Sequence, residues 1–196
     1  MSPRIVVMGV SGCGKTTLAQ ALAQALGLPF IEGDALHPPG NVERMAAGIA
    51  LTDADRLDWL LAVATQLDKG AASSQGIVMT CSALKRSYRD LLRRAAADVR
   101  WVHLHGDAHL LAQRMHARQG HYMPASLLQS QLDTLEPPGD DERPIRIDIA
   151  LAPERQLAHA LHQLRAPPGG GKRPPPPRGG KKTRERPIAF LRASTT

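Results

Sequence analysis

Residues 9–16 read GVSGCGKT, between the β-branched run Arg4–Met8 and a segment with helical periodicity over 15–26. The octet fits G-x-x-x-x-G-K-[ST], and it stands after a strand and before a helix, where that spacing has a mechanism. Glycines let successive backbone N–H groups turn inward, and the following helix contributes its positive end. Gly9, Val10, Ser11, Gly12, Cys13, Gly14, Lys15, Thr16 and Thr17 are therefore expected to surround the phosphates of a nucleotide. Lys15 brings a point charge to the β- and γ-phosphates, and Thr16 offers its hydroxyl to magnesium. The loop is therefore expected to hold a nucleoside triphosphate with Mg2+. The loop alone does not say which molecule accepts the phosphate.

Outward from the loop, strands alternate with helices. Short apolar runs at 29–31, 76–80, 99–104 and 145–149 suit strands. Helical spacing appears at 41–47, 84–94, 108–118, 126–135 and 154–164. Thr52 is placed to cap another helix, with Asp53 and Asp55 in its first turn and Leu57, Leu60, Leu61 and Ala64 repeating after it. Such alternation predicts an α/β fold with a central parallel five-stranded sheet flanked by helices, and the loop at its first strand makes it the P-loop NTPase/kinase type. Ligands of these sheets bind beyond the carboxyl ends of the strands.

Residues 1–165 are expected to form this domain. Beyond them the chain turns to APPGGGKRPPPPRGGKKTRERP, whose proline and glycine predict a disordered tail over 166–196. The net charge of +7 lies wholly in that tail, which has eight basic residues and one acid; the first 165 residues hold 17 of each sign. The charge thus says nothing about the domain, although the tail is suited to bind nucleic acid or acidic surfaces non-specifically. No apolar run approaches the roughly 18 residues of a membrane span, and the expected location is the cytoplasm. Cys13 and Cys81 are expected as reduced thiols and lack zinc-site spacing.

Polar clusters follow the strand ends, where an acceptor belongs. In EGDALHPPGN, Asp34 is assigned to the acceptor hydroxyl and Glu32 to the metal through water. A solvated acidic turn is the alternative for both. His37 is expected to donate to an acceptor oxygen or to cap a helix. In LTDADRLDWL, Asp53 and Asp55 fit structural capping, whereas Arg56 suits an anionic acceptor. In TCSALKRSYRD, Ser82 is placed to cap the helix or face the acceptor. Lys85 and Arg86 are cations at a helix N-terminus, where they are disfavoured without an anion, and Arg89 lies one turn on. A solvated basic face is the alternative. In QRMHARQGHYM, Arg114 and Arg118 share a helix face that breaks at Gly120, which suggests a mobile lid that closes over the phosphates.

Taken together, GVSGCGKTT, GDALHPPGNVERMAAGIALTDADRLDWL, CSALKRSYRDLLR, RQGHYM and PGDDERPIRIDI resemble the gluconokinase family, the small thermoresistant type related to shikimate kinase. The similarity runs from about residue 5 to 149. The shikimate-type pattern differs, with a D-x-D pair and a glycine triplet where this chain has EGD and CSALK. The resemblance implies ATP-dependent phosphorylation of D-gluconate to 6-phosphogluconate and, commonly, a homodimer. It implies that Lys15, Asp34 and Arg118 are catalytic, and that His37, Arg56, Ser82, Lys85, Arg89 and His121 serve the substrate or the lid over it. It also implies that Arg114 and Pro153 flank the adenine. Two other classes compete: a different small-molecule kinase, and a non-catalytic nucleotide-binding module tethered by its tail.

Overall fold

The computed structural model describes residues 3–72, 76–117 and 126–165. The expectations for the lid residues Arg118 and His121 and for the tail over 166–196 lie outside the described residues. Five strands form one wholly parallel sheet: β1 (Arg4–Met8), β2 (Phe30–Ile31), β3 (Ile77–Thr80), β4 (Arg100–His105) and β5 (Ile145–Asp148). Their order is β2-β3-β1-β4-β5, so the strand that feeds the glycine loop is central. Among the described residues, seven helices surround it: α1 (Lys15–Leu26), α2 (Pro39–Ala46), α3 (Asp53–Ala72), α4 (Arg86–Ala95), α5 (Ala108–Ala117), α6 (Leu127–Thr134) and α7 (Pro153–Arg165).

Alternation along β1 explains why both faces of the sheet are covered. Ile5 and Val7 enter one core with Leu18 and Leu22 of α1 and Ala160 of α7. Val6 and Met8 enter the other with Trp59, Val63 and Leu67 of α3 and Leu92 of α4. Successive side chains of a strand point to opposite faces, so an uninterrupted apolar run needs two covers.

The Thr52 cap is present in reciprocal form. The Asp55 N–H donates to Thr52 Oγ1 at 3.2 Å, and the Thr52 N–H donates to Asp55 Oδ2 at 2.8 Å. The phase of α3 differs from the leucine repeat. Leu60 and Ala64 are buried, but Leu57 and Leu61 are about half exposed, because Arg56, Trp59 and Val63 turn that side of the helix inward. α4 starts two residues later than expected, at Arg86. Ala83 occupies the left-handed region, with φ 43°, and keeps Ser82 to Lys85 out of the helix. Ser82 therefore caps nothing; the capping position belongs to Lys85.

Candidate active site

The phosphate loop closes onto α1 through Gly14, whose φ of 93° is natural for glycine. No side chain caps α1. Its first N–H groups and its positive end therefore remain directed at the loop. Lys15 crosses the loop, and its Nζ donates to the carbonyl of Val10 at 3.0 Å. A further polar group reaches the loop from a distance in sequence. The Ser11 N–H donates to Oε1 of the buried Gln131 on α6 at 2.6 Å. The sequence reading missed Gln131. Its signal is its position, four residues after Leu127 and three after Leu128, on the apolar stripe of the helix.

Glu32 stands at the end of β2 and links the loop to the acceptor side. Its Oε2 accepts from the Thr16 hydroxyl at 2.7 Å, and its Oε1 accepts from the Thr80 hydroxyl. The next residue must be glycine, since a Cβ at Gly33 would lie 2.0 Å from the Thr80 carbonyl oxygen. The Gly33 N–H donates to Thr80 Oγ1 at 2.9 Å, and its carbonyl accepts from the Trp59 indole N–H at 2.8 Å. These bonds fix the short 3-10 turn Gly33–Leu36, and with it the half-buried Asp34. Among the described residues, the Asp34 carboxylate has no hydrogen-bond partner.

His37 stacks on Trp59 with ring centroids 4.4 Å apart and planes 10° from parallel. Burial pushes its pKa down to about 4; the charge of Arg56 lowers it further and that of Asp34 opposes the shift. The ring is therefore neutral near pH 7. Its Nδ1 is buried without a partner among the described residues. Arg56 is 8% exposed, and its guanidinium makes neither a hydrogen bond nor an ion pair among the described residues, although its charge acts on Asp53 and Asp55 as well as on His37.

The other basic residues expected at the acceptor are otherwise engaged. Lys85 Nζ donates to both carboxylate oxygens of Asp53, at 2.7 and 2.8 Å. The Tyr88 hydroxyl donates to the same group at 2.5 Å. These hydrogen bonds, those of Lys85 first, hold the Asp53 carboxyl below its usual range. Arg86 pairs with Asp90 and Asp141. Arg89 was expected to face the acceptor. The structure turns it inward, 1% exposed, with Nε and Nη2 on the two oxygens of Glu142 at 2.7 and 2.9 Å. Its Nη1 donates to the carbonyls of Ala83 and Leu84. Arg89 thus holds the loop that carries Ser82 from behind, and Ser82 itself is 9% exposed.

On the opposite half of the sheet, a pocket of about 150 Å³ borders the loop. Cys13, Gly14, Thr17, Arg114, Pro153 and Gln156 are among its walls. Burial raises the Cys13 thiol pKa, so this wall is neutral. Arg114 is anchored by its Nη2, which donates to the carbonyl of Ile149 at 2.8 Å. The structure thus brings Arg114 and Pro153, 39 residues apart, to the wall of one pocket.

Two imidazoles, one buried and one half-buried, tie stability to pH. His103 on β4 is 3% exposed, and both its ring nitrogens lack partners among the described residues. Burial lowers its pKa to about 4, helped by His105, Arg89 and Arg146 and opposed by Glu142. Both His103 and His37 have folded values below the ordinary 6.5. The unfolded chain therefore binds more protons between pH 6.5 and 4, and stability is lost as pH falls through that window. His103 accounts for up to about 3 kcal/mol of this change. Calorimetric melting across pH 4–8 should show a decline below pH 6.5 that His103→Leu makes shallower. An unchanged slope would rule out His103 as its source.

The loop, the parallel strand order and the flanking helices define a P-loop kinase. A family model described as AAA domain matches residues 5–138. A gluconokinase of Gluconobacter oxydans (strain 621H) is 51% identical over 167 residues, spanning 85% of this chain and 94% of that protein. The crystal structure of a gluconokinase from Sinorhizobium meliloti 1021 is 51% identical with a TM-score of 0.75, covering 83% of this chain and 91% of its own. The crystal structure of a sugar kinase from Janibacter sp. HTCC2649 is 48% identical with a TM-score of 0.80, covering 84% and 95%. This chain belongs to the gluconokinase family. Among the described residues, no helix is long and apolar enough to cross a membrane.

Proposed function

We propose that this protein transfers the γ-phosphoryl group of ATP to the terminal hydroxyl of gluconate, giving 6-phosphogluconate and ADP. The observation that carries the substrate assignment is Arg56. Its largely buried guanidinium is held in no ion pair by the chain, so its donors remain available to a bound anion. A guanidinium takes a carboxylate bidentately. Arg56 and Asp34 both act electrostatically on His37, which sets all three within range of one another's charge. Together they offer a cation for a carboxylate and a carboxylate for a hydroxyl, which suits a small acidic polyol.

In this reading the acceptor hydroxyl oxygen attacks the γ-phosphorus. The bond from that phosphorus to the β–γ bridging oxygen breaks, and its electron pair leaves with ADP. The hydroxyl proton passes to the Asp34 carboxylate and then to solvent. The transition state is loose, so Asp34 acts as much by orienting the hydroxyl as by taking its proton. Neutral His37 offers one hydrogen bond to the polyol. Lys15 leaves the Val10 carbonyl for the β- and γ-oxygens.

The donor set fits Mg2+. Thr16 and Glu32 place a hydroxyl and a carboxylate oxygen 2.7 Å apart, and hard oxygen donors suit this ion. Among the described residues no group of three acids, histidines or cysteines could hold a metal, which accords with an ion bound chiefly through phosphates and water. When bound, Mg2+ neutralises charge on the phosphate oxygens. Arg114 and Pro153 flank the base. Arg118 and His121 belong to the proposal as lid groups that meet the developing charge. So do a cytoplasmic location, a homodimer, and a tail that binds nucleic acid or acidic surfaces non-specifically.

The test is ADP release with magnesium and ATP, comparing gluconate, shikimate and no acceptor, with Lys15→Ala as the blank. Gluconate-dependent release absent from the blank is the expected result; release with shikimate alone would overturn the acceptor assignment. Arg56→Gln should raise the KM for gluconate by roughly 10²-fold while the KM for ATP holds, since it removes one partner of a buried charge pair. An unchanged gluconate KM would remove Arg56 from the acceptor site.

A further inference from the structure

The geometry points to Gln156 as the residue that selects adenine over 6-oxopurines in the nucleotide pocket, an assignment that rests on the base-pocket reading above. Gln156 lies in the first turns of α7, is 7% exposed, and forms part of the pocket wall with Arg114 and Pro153. Its Nε2 donates to two backbone carbonyls, Leu151 at 2.8 Å and Ile149 at 3.3 Å. Both amide hydrogens are thereby spent.

These bonds also fix which way the amide points. Rotating it by half a turn would set its oxygen against two carbonyl oxygens and leave the donors without them. The orientation is thus dictated by the backbone at the end of β5. What remains is Oε1, an acceptor with no partner among the described residues and without freedom to become a donor. The Ile149 carbonyl also accepts from Arg114, so one backbone oxygen sets both the guanidinium that stacks on a base and the amide beside it.

A fixed acceptor discriminates by what the ligand brings. The 6-amino group of adenine is a donor and completes Oε1. The 6-oxo group of hypoxanthine or guanine is an acceptor and would face it oxygen to oxygen, leaving both unpaired in the pocket. A purine bearing only hydrogen at that carbon neither bonds nor repels. Three nucleotides that differ at the 6-position, and in ITP also by the N1–H that accompanies the oxo group, therefore fall in order: ATP best, purine riboside triphosphate next, ITP last.

The experiment measures kcat/KM for these three nucleotides at saturating gluconate. Wild-type protein should lose about 10-fold from ATP to purine riboside triphosphate and about 10²-fold to ITP, as expected when one hydrogen bond is first removed and then opposed. Gln156→Leu removes the acceptor and should bring the three values within about 3-fold of one another, chiefly by lowering ATP. Equal values for ATP and ITP in the wild type would overturn the assignment whether or not the variant folds. So would an unaltered ATP-to-ITP ratio in Gln156→Leu. Ala21→Trp, which fills the pocket from α1, separates this failure from failure of the pocket itself. If it raises the KM for all three nucleotides while their ratios ignore Gln156, the pocket stands and Gln156 falls. If it leaves every KM unchanged, the base binds elsewhere and both readings fall.

Discussion

Asp34→Asn should lower kcat by about 10²- to 10⁴-fold and leave the affinity for magnesium–ATP nearly unchanged, the range for losing one positioned acid–base group. The asymmetry follows from where the residue stands. Its turn is fixed by backbone bonds of Gly33 to Thr80 and Trp59, which asparagine leaves intact. The Asp34 carboxylate makes no hydrogen bond among the described residues, so its loss breaks nothing internal. Phosphate contacts lie across the site, on the glycine loop and Lys15. Single-turnover rates with saturating gluconate, and calorimetric titration of ATP, separate the two quantities. Equal losses in rate and ATP affinity would show that Asp34 supports the nucleotide instead of the acceptor.

The largest expected loss of stability belongs to a residue far from the chemistry. Glu142→Ala should destabilise the fold by about 3–5 kcal/mol, because it leaves the guanidinium of Arg89 buried without its carboxylate. For a domain of this size that corresponds to roughly 10–15 °C in Tm. Arg93 loses a contact too, since its Nη1 lies 3.3 Å from Glu142 Oε2. Removing both charges, in Arg89→Met with Glu142→Leu, should recover most of the stability, since apolar replacements of a buried pair are well tolerated. The double variant should nevertheless keep a raised KM for gluconate. Arg89 also donates to the carbonyls of Ala83 and Leu84, and Ala83 holds a left-handed conformation that alanine does not favour. Recovery of both Tm and KM would reduce Arg89 to a packing role. A full Tm loss in the double variant would mean that the charges contribute net stability.

Much of this architecture was legible because the signals are local. The glycine octet, the β-branched run before it and the strand–helix alternation each follow from short-range rules. Ile145 and Ile147 of β5 alternate with exposed Arg146 and Asp148, as the sequence implies for an edge strand. The acceptor side was read less well, because charge in a sequence does not say where its partner is. Lys85 and Arg89 looked like ligands until the fold supplied Asp53, 32 residues earlier, and Glu142, 53 residues later. GDDERP has the composition of a solvated turn, and nothing local marks Glu142 as buried. Arg89 did carry a usable clue. It follows Tyr88 and stands three residues before Leu92, on the apolar face of α4, where a lysine or arginine needs an internal partner. Arg56 shows the converse, as a buried arginine for which the described chain provides no partner.

The central place of β1 has a consequence for how such a protein changes over time. Its carboxyl end delivers the phosphate loop to the midline of the sheet. Apart from that loop and α1, the walls of the proposed base pocket come from chain that follows β4 and β5. The groups proposed to face the acceptor follow β2 and β3. Donor recognition and acceptor recognition are therefore written in separate stretches of sequence that meet only at the transferred group. Rewriting residues 32–56 and 81–85 can exchange one acceptor for another while the half that binds the nucleotide is inherited whole.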